Sequence, residues 1–313
     1  PPRSTPLYSS AASDVYKRQV PASAAHSFRA SGFGAAGSRL ELEPLFTVTD
    51  PESAGEMGAA AREPREWFLA QSATPPDVEN DWDWAHASLQ QAAAFGFSAS
   101  PDSDIIIEPD LEQRWPFAPP QPGSSAMAAT AAAPACQFED QSADYPRGTG
   151  FAWHLQDAFS GLKSAREAAG FGQGIVIAHF DTGYDPKHTT LPKNLDLGRQ
   201  KNFVEAGQSA ADPGVSGTLK NPGHGTGTLS ILAGNRVSQP GFDDWLGGAP
   251  EATVVPLRVA NSVVQFATSS VAKAFVYARE IGADVVSMSM GGTASEAWTD
   301  AVNAAYEAGI VIV

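Results

Sequence analysis

Gly174-Ile175-Val176-Ile177-Ala178-His179-Phe180-Asp181-Thr182-Gly183 is a short apolar run fenced by glycines. It is rich in β-branched residues and does not alternate polar with apolar, the pattern of a strand buried on both faces in a parallel sheet. The run ends on a carboxylate, Asp181, and open α/β sheets gather their functional groups at the carboxyl ends of strands. Downstream comes Asn221-Pro222-Gly223-His224-Gly225-Thr226-Gly227-Thr228-Leu229-Ser230-Ile231-Leu232-Ala233-Gly234, where His224 opens a helix that Gly234 closes. An acid at a strand end and an imidazole at a helix start can meet above one sheet.

The surrounding chain keeps the same rhythm. Residues 162–169 predict a short helix, 253–259 a strand, and 269–281 a helix with Val271, Ala274, Phe275, Ala278 and Ile281 on one face. Residues 285–290 predict a further strand, and Thr293 with Glu296 three positions on forms a capping box for a helix ending at Gly309. Residues 310–313 begin one more buried strand. Strands alternating with helices imply a doubly wound α/β fold: a parallel sheet with helices on both faces and right-handed connections.

Three motifs stand in order along this part of the chain: Asp181-Thr182-Gly183, His224-Gly225-Thr226 and Ser289-Met290-Gly291-Gly292. Together they resemble the subtilisin-like serine peptidases, the subtilases, over residues 153–313. The resemblance implies a serine-type endopeptidase that hydrolyses peptide bonds with an Asp/His/Ser triad. Asp181 would hold one ring nitrogen of His224, and His224 would take the serine proton and return it to the leaving amine. Ser289, Met290, Gly291 and Gly292 would form an edge that pairs with the substrate backbone and lines the primary specificity pocket. The family's Gly-Thr-Ser nucleophile segment is not found after His224. The serine, and the side-chain donor of the oxyanion hole, are therefore expected beyond Val313, with the sheet incomplete and the 313-residue chain inactive alone.

The resemblance also implies polypeptide substrates, no cofactor in the chemistry, and secretion. Structural calcium accompanies many members, but no segment is dense enough in carboxylates to assign its ligands. Two rival readings use the same residues. His179, Asp181, Asp185, His188 and His224 could form a metal site for a hydrolase, although no His-Glu-x-x-His pattern appears and the glycine context is left unexplained. A catalytically inactive, peptidase-like binding protein is the other. His179 stands where the family usually has an aliphatic residue, and is read as a core histidine paired locally.

Ahead of this domain, residues 20–116 predict a small α+β unit. Leu40 to Val48 alternates as a strand, with Pro44 restricting it to an edge or a break. Trp67-Phe68-Leu69 is a short apolar patch. Asn80 or Asp81 caps a helix carrying Trp82, Ala85, Leu89 and Ala92 on one face, and Ile105 to Ile107 is a strand stopped by Pro109. Many subtilases carry a small inhibitory pro-domain ending in a phrase similar to Glu108-Pro109-Asp110, so the unit is read as the protein's own intramolecular inhibitor. An Ala/Pro-rich linker, residues 117–147, separates it from the peptidase-like domain at 148–313. Gly123-Ser124-Ser125-Ala126-Met127-Ala128 in that linker is rejected as a nucleophile segment, because a flexible linker ahead of Asp181 cannot hold a serine against His224. Residues 1–19 read as translated adapter sequence and are set aside.

The formal charge of −15 argues against nucleic acid as a partner. No run of about 18 apolar residues occurs, so no membrane-spanning helix is expected. The single cysteine, Cys136, allows no intrachain disulfide.

Overall fold

The computed structural model describes residues 15–21, 40–48, 64–72, 106–110, 152–205, 207, 209–214, 220–263, 267–292 and 295–313. The helix expected over residues 81–92 and the linker serines lie outside these.

The central sheet is parallel throughout. Its strands are β5 (Val176–Asp181), β6 (Lys201–Asn202), β9 (Thr253–Arg258), β10 (Val285–Met288) and β11 (Val311–Ile312), in the order β11-β10-β5-β9-β6. Strands β7 (Arg236–Gln239) and β8 (Phe242–Trp245) form a separate antiparallel hairpin. The helices are α1 (Leu162–Ala168), α2 (His224–Ala233), α3 (Thr268–Glu280) and α4 (Glu296–Glu307). β5 holds the middle position, which suits its largely apolar character.

Alternation along the strands sends side chains to two cores. Ala178, Phe180, Val255, Leu257 and Val286 pack with Val271, Phe275 and Ala278 of α3 and with Ala297, Ala301 and Ala305 of α4. On the other face, Ile177 and Val254 pack with Leu229 and Ala233 of α2. The α/β arrangement with helices on both faces is thus as the pattern predicts. Two details differ. The N-cap of α4 is Ser295, whose side chain accepts a hydrogen bond from Trp298 N, so Glu296 is the first helical residue and not the distal half of a capping box from Thr293. β10 also ends at Met288, two residues early, and 289–292 run outside the ladder.

An antiparallel sheet of four strands covers α3 and α4. Its strands are β1 (Val15–Pro21), β2 (Leu40–Val48), β3 (Arg65–Ser72) and β4 (Ile106–Pro109), in the order β2-β3-β1-β4. Pro44 lies on the edge strand, and the register shifts between Pro44 and Phe46, so both consequences expected of that proline occur together. β1 falls largely within the segment that sequence reading sets aside, yet it sits between β3 and β4.

The sheet is fixed to the helices by apolar and polar contacts. Phe46 and Trp67 stack with centroids 6.2 Å apart and join the core of α3 and α4, and Trp67 Nε1 donates to Asp300 Oδ2 at 2.8 Å. At the end of β4 and just past it, two buried carboxylates meet helix starts. Glu108 accepts from Glu296 N (2.9 Å) and Ala297 N (3.1 Å), and Asp110 accepts from Ser269 N (3.0 Å) and from the hydroxyls of Thr268 and Ser269. The first N–H groups of a helix lack intrahelical partners and carry partial positive charge, so a carboxylate is a fitting partner. Glu-Pro-Asp at 108–110 therefore clamps α3 and α4 with one short phrase.

Candidate active site

β5 ends on Asp181 and α2 begins on His224, and the sequence lets the two come close because two positions lack a side chain. A Cβ at residue 225 would lie 2.0 Å from Gly183 O and 3.1 Å from Asp181 Oδ1, so only glycine fits where the helix meets the strand end. Gly183 has φ 109°, a conformation that favours glycine, and a Cβ there would meet Ala210 O at 2.6 Å. The threonines of the two motifs tie the loops together. Thr182 Oγ1 accepts from Gly225 N (3.3 Å), and Thr226 Oγ1 accepts from Asp185 N (2.8 Å).

Asp181 is 1% exposed. Its Oδ1 accepts from His224 Nδ1 (2.8 Å) and from Thr182 N (2.7 Å), and its Oδ2 accepts from Thr228 Oγ1 (2.9 Å). Burial pushes the Asp181 carboxyl up, but the bonds from His224 and Thr182, with His179 nearby, outweigh it and leave the pKa below the ordinary carboxylate value. The bond to Asp181 raises the pKa of His224 above its ordinary value, against the opposing effect of burial. With Nδ1 held by the carboxylate, the other ring nitrogen of a half-buried imidazole is left to accept a proton.

His179 is buried beside this pair. Its Nε2 lies 2.8 Å from Thr228 Oγ1 and 3.7 Å from Asp181 Oδ2, and burial lowers its pKa to about 4. The expected local pairing is present, and its partner leads to Asp181. The other residues of the metal-site reading do not join them: His188 Nδ1 bonds Thr190 Oγ1 (2.8 Å), and Asp185 Oδ1 accepts from Lys187 N (2.9 Å). Among the described residues, no group of three or more His, Cys, Asp or Glu is placed to hold a metal ion. None of the described helices is long and apolar enough to cross a membrane.

Ser289, Met290, Gly291 and Gly292 follow the Met288–Phe180 pairing on the same edge of the sheet, one strand from Asp181. Ser289 and both glycines are exposed, a Cβ at Gly291 would meet open space, and Met290 packs partly against the main core. Thr228, which bonds both Asp181 and His179, is the side chain of this cluster that sequence reading misses. Its signal is spacing: four residues after His224 on one helix places it on the same face.

The family model described as Subtilase family matches residues 172–313, which hold all of these groups. Over that span the chain is similar to the subtilase family. Among curated proteins, thermitase of Thermoactinomyces vulgaris is 31% identical over 143 residues, 45% of this chain and 47% of thermitase. Subtilisin DY of Bacillus licheniformis is 31% identical over 149 residues, 47% of this chain and 48% of that protein. The chain thus spans about half the length of the curated relatives it matches. Fervidolysin from Fervidobacterium pennivorans, a keratinolytic enzyme related to subtilisin, superposes with a TM-score of 0.52 at 16% identity, covering 97% of this chain and 39% of that one. At that identity the likeness concerns the subtilase fold alone.

Proposed function

We propose that the protein is a serine endopeptidase in which Asp181 and His224 are the acid and base of an Asp/His/Ser triad. The observation that carries this is the 2.8 Å bond from His224 Nδ1 to Asp181, made at the carboxyl edge of a parallel sheet. A serine hydroxyl attacks a peptide carbonyl only when a base takes its proton. His224 accepts that proton at Nε2, Asp181 stabilises the imidazolium that forms, and the proton then passes to the leaving amine. The serine is assigned to the part of such proteins that this chain does not span. Ser289 to Gly292 offer an exposed backbone edge beside the pair, suited to binding a polypeptide as an added strand, with the glycines leaving room for a large side chain. No cofactor enters these steps.

The N-terminal unit is proposed to act as an intramolecular inhibitor. The contacts that support this are the helix clamps of Glu108 and Asp110, which dock the unit against the starts of α3 and α4. The test uses the full reading frame. A Gly-Thr-Ser phrase downstream, labelling by a serine-directed fluorophosphonate, and insensitivity to zinc chelation are expected together. Loss of activity on chelation with no labelling would favour the metal-hydrolase reading, and a folded protein with neither activity nor labelling a binding protein. The 313-residue chain alone is expected to cleave nothing; casein hydrolysis by it, abolished by His224→Ala, would overturn the assignment of the serine.

A further inference from the structure

We propose that His179 and Thr228 are positioning residues for Asp181, forming a proton-ordered chain that sets the orientation and basicity of the carboxylate facing His224. This deepens the reading of Asp181 and His224 as a catalytic pair and rests on it.

The hub is Thr228 Oγ1, which carries one proton and has three acceptors within reach: Asp181 Oδ2 at 2.9 Å, Gly225 O at 3.1 Å and His224 O at 3.3 Å. A helical threonine commonly turns its hydroxyl back to a carbonyl one turn earlier. Here His179 Nε2, 2.8 Å away, decides the outcome. His179 is 2% exposed and its burial holds it neutral, so its ring carries a single N–H. With that hydrogen on Nε2, His179 donates into Thr228 Oγ1, and the hydroxyl proton is free to go to Asp181. The other tautomer would draw the hydroxyl proton to itself and leave Asp181 Oδ2 buried without this donor. The ordered chain runs from His179 Nε2–H to Thr228 Oγ1, from its hydroxyl to Asp181 Oδ2, and from His224 Nδ1–H to Asp181 Oδ1. Every proton is used once.

The effect on chemistry follows from charge. A hydroxyl bonded to Oδ2 stabilises the ionised carboxylate and draws charge away from Oδ1, which tempers how strongly Asp181 favours the imidazolium of His224. It also fixes the rotation of the carboxylate, so that Oδ1 points at Nδ1. Other charged groups near the cluster are engaged elsewhere. Arg258 stands opposite Asp181 in the β5–β9 register, but its guanidinium bonds Glu205 and Asn261; Asp185 is turned to its own loop; β10 contributes only Val285, Val286, Ser287 and Met288.

The test is a titration of His224 by imidazole NMR in the 313-residue chain, which needs no turnover. Thr228→Val removes the hydroxyl at nearly constant volume and should raise the His224 midpoint by about 0.5 to 1 pH unit. Thr228→Ser should restore the wild-type midpoint. His179→Leu should shift it in the same direction where Thr228 is present, and should add nothing in the Thr228→Val background, because His179 acts through that hydroxyl. An unchanged midpoint in folded Thr228→Val, or a His179→Leu shift of the same size with and without the hydroxyl, would overturn the proposal. If His179→Leu does not fold, the Thr228→Val and Thr228→Ser pair decides alone. A full-length protein that shows these shifts but never reacts with a fluorophosphonate would remove the peptidase reading and leave this one standing.

Discussion

Two regions of the molecule bury carboxylates against the starts of helices, with different partners. At the sheet edge, Asp181 meets the side chain of His224, the first residue of α2. Beneath the N-terminal sheet, Glu108 and Asp110 meet backbone N–H groups of Glu296, Ala297 and Ser269 at the starts of α4 and α3. An imidazole can gain and lose a proton near neutral pH, so the first contact changes strength with pH and can pass a proton on. A backbone amide does not titrate, so the second can only hold two surfaces together. The acid is the same chemical group in both; the donor opposite it decides whether the contact is a joint or a reactive pair.

The largest effect expected from breaking this comparison is at the reactive pair. Asp181→Asn in the full-length protein should lower kcat by about 10⁴-fold, since the imidazole loses the partner that sets its tautomer. Peptide hydrolysis rates check this, and the N-terminal unit should stay docked. Changing the joint should do the reverse. Glu108→Ala and Asp110→Ala each remove bonds from a buried charged acceptor, so amide exchange in β1 to β4 should speed up by about 10- to 100-fold per substitution, read by hydrogen-exchange mass spectrometry. The Asp181–His224 bond should persist in both variants.

His179 sharpens the contrast through stability. Its folded pKa of about 4 lies below the unfolded 6.5, so between these values the unfolded chain binds more protons and stability falls as pH falls. His179→Leu should flatten that slope, by on the order of 3 kcal/mol across the window. Urea midpoints at neutral and acid pH measure it; an unchanged slope would mean the ring is not held neutral. His224 has the opposite sign: its raised pKa contributes stability below the unfolded value that is lost as pH rises through the folded one. The smallest effect is expected at the Lys273–Glu43 pair, 2.8 Å apart at the rim of the docked sheet with Glu43 61% exposed. Glu43→Gln should change stability by less than about 0.5 kcal/mol.

What sequence reveals and conceals here follows from how far each signal travels along the chain. β5 announces itself through six consecutive residues, and the glycines that let α2 approach it sit beside the two functional groups. The Asp181–His224 pairing was legible for that reason. Thr228 was not, because its meaning comes from an oxygen on a strand distant in sequence. β1 was harder still: Val15-Tyr16-Lys17-Arg18-Gln19-Val20-Pro21 has little apolar pattern of its own, and its identity as a strand comes from β3 on one side and β4 on the other. The helix start at Ser295 shows the limit of motif spacing, since Glu296 matched a capping box while its own N–H is taken by Glu108.

The placement of β1 bears on how the N-terminal unit assembles. Val15 pairs with Gln71, and Tyr16 pairs with Pro109. Pairings this distant must close long loops before any contact rewards the closure, which slows folding relative to a sheet of sequential hairpins. In a nascent chain, Val15–Pro21 has both hydrogen-bonding edges open until β3 emerges, and one edge open until Ile106–Pro109 follows. An open strand edge invites pairing with other chains. Synthesis rate and chain concentration should therefore govern the yield of correctly assembled protein, through a stretch of residues remote from its chemistry.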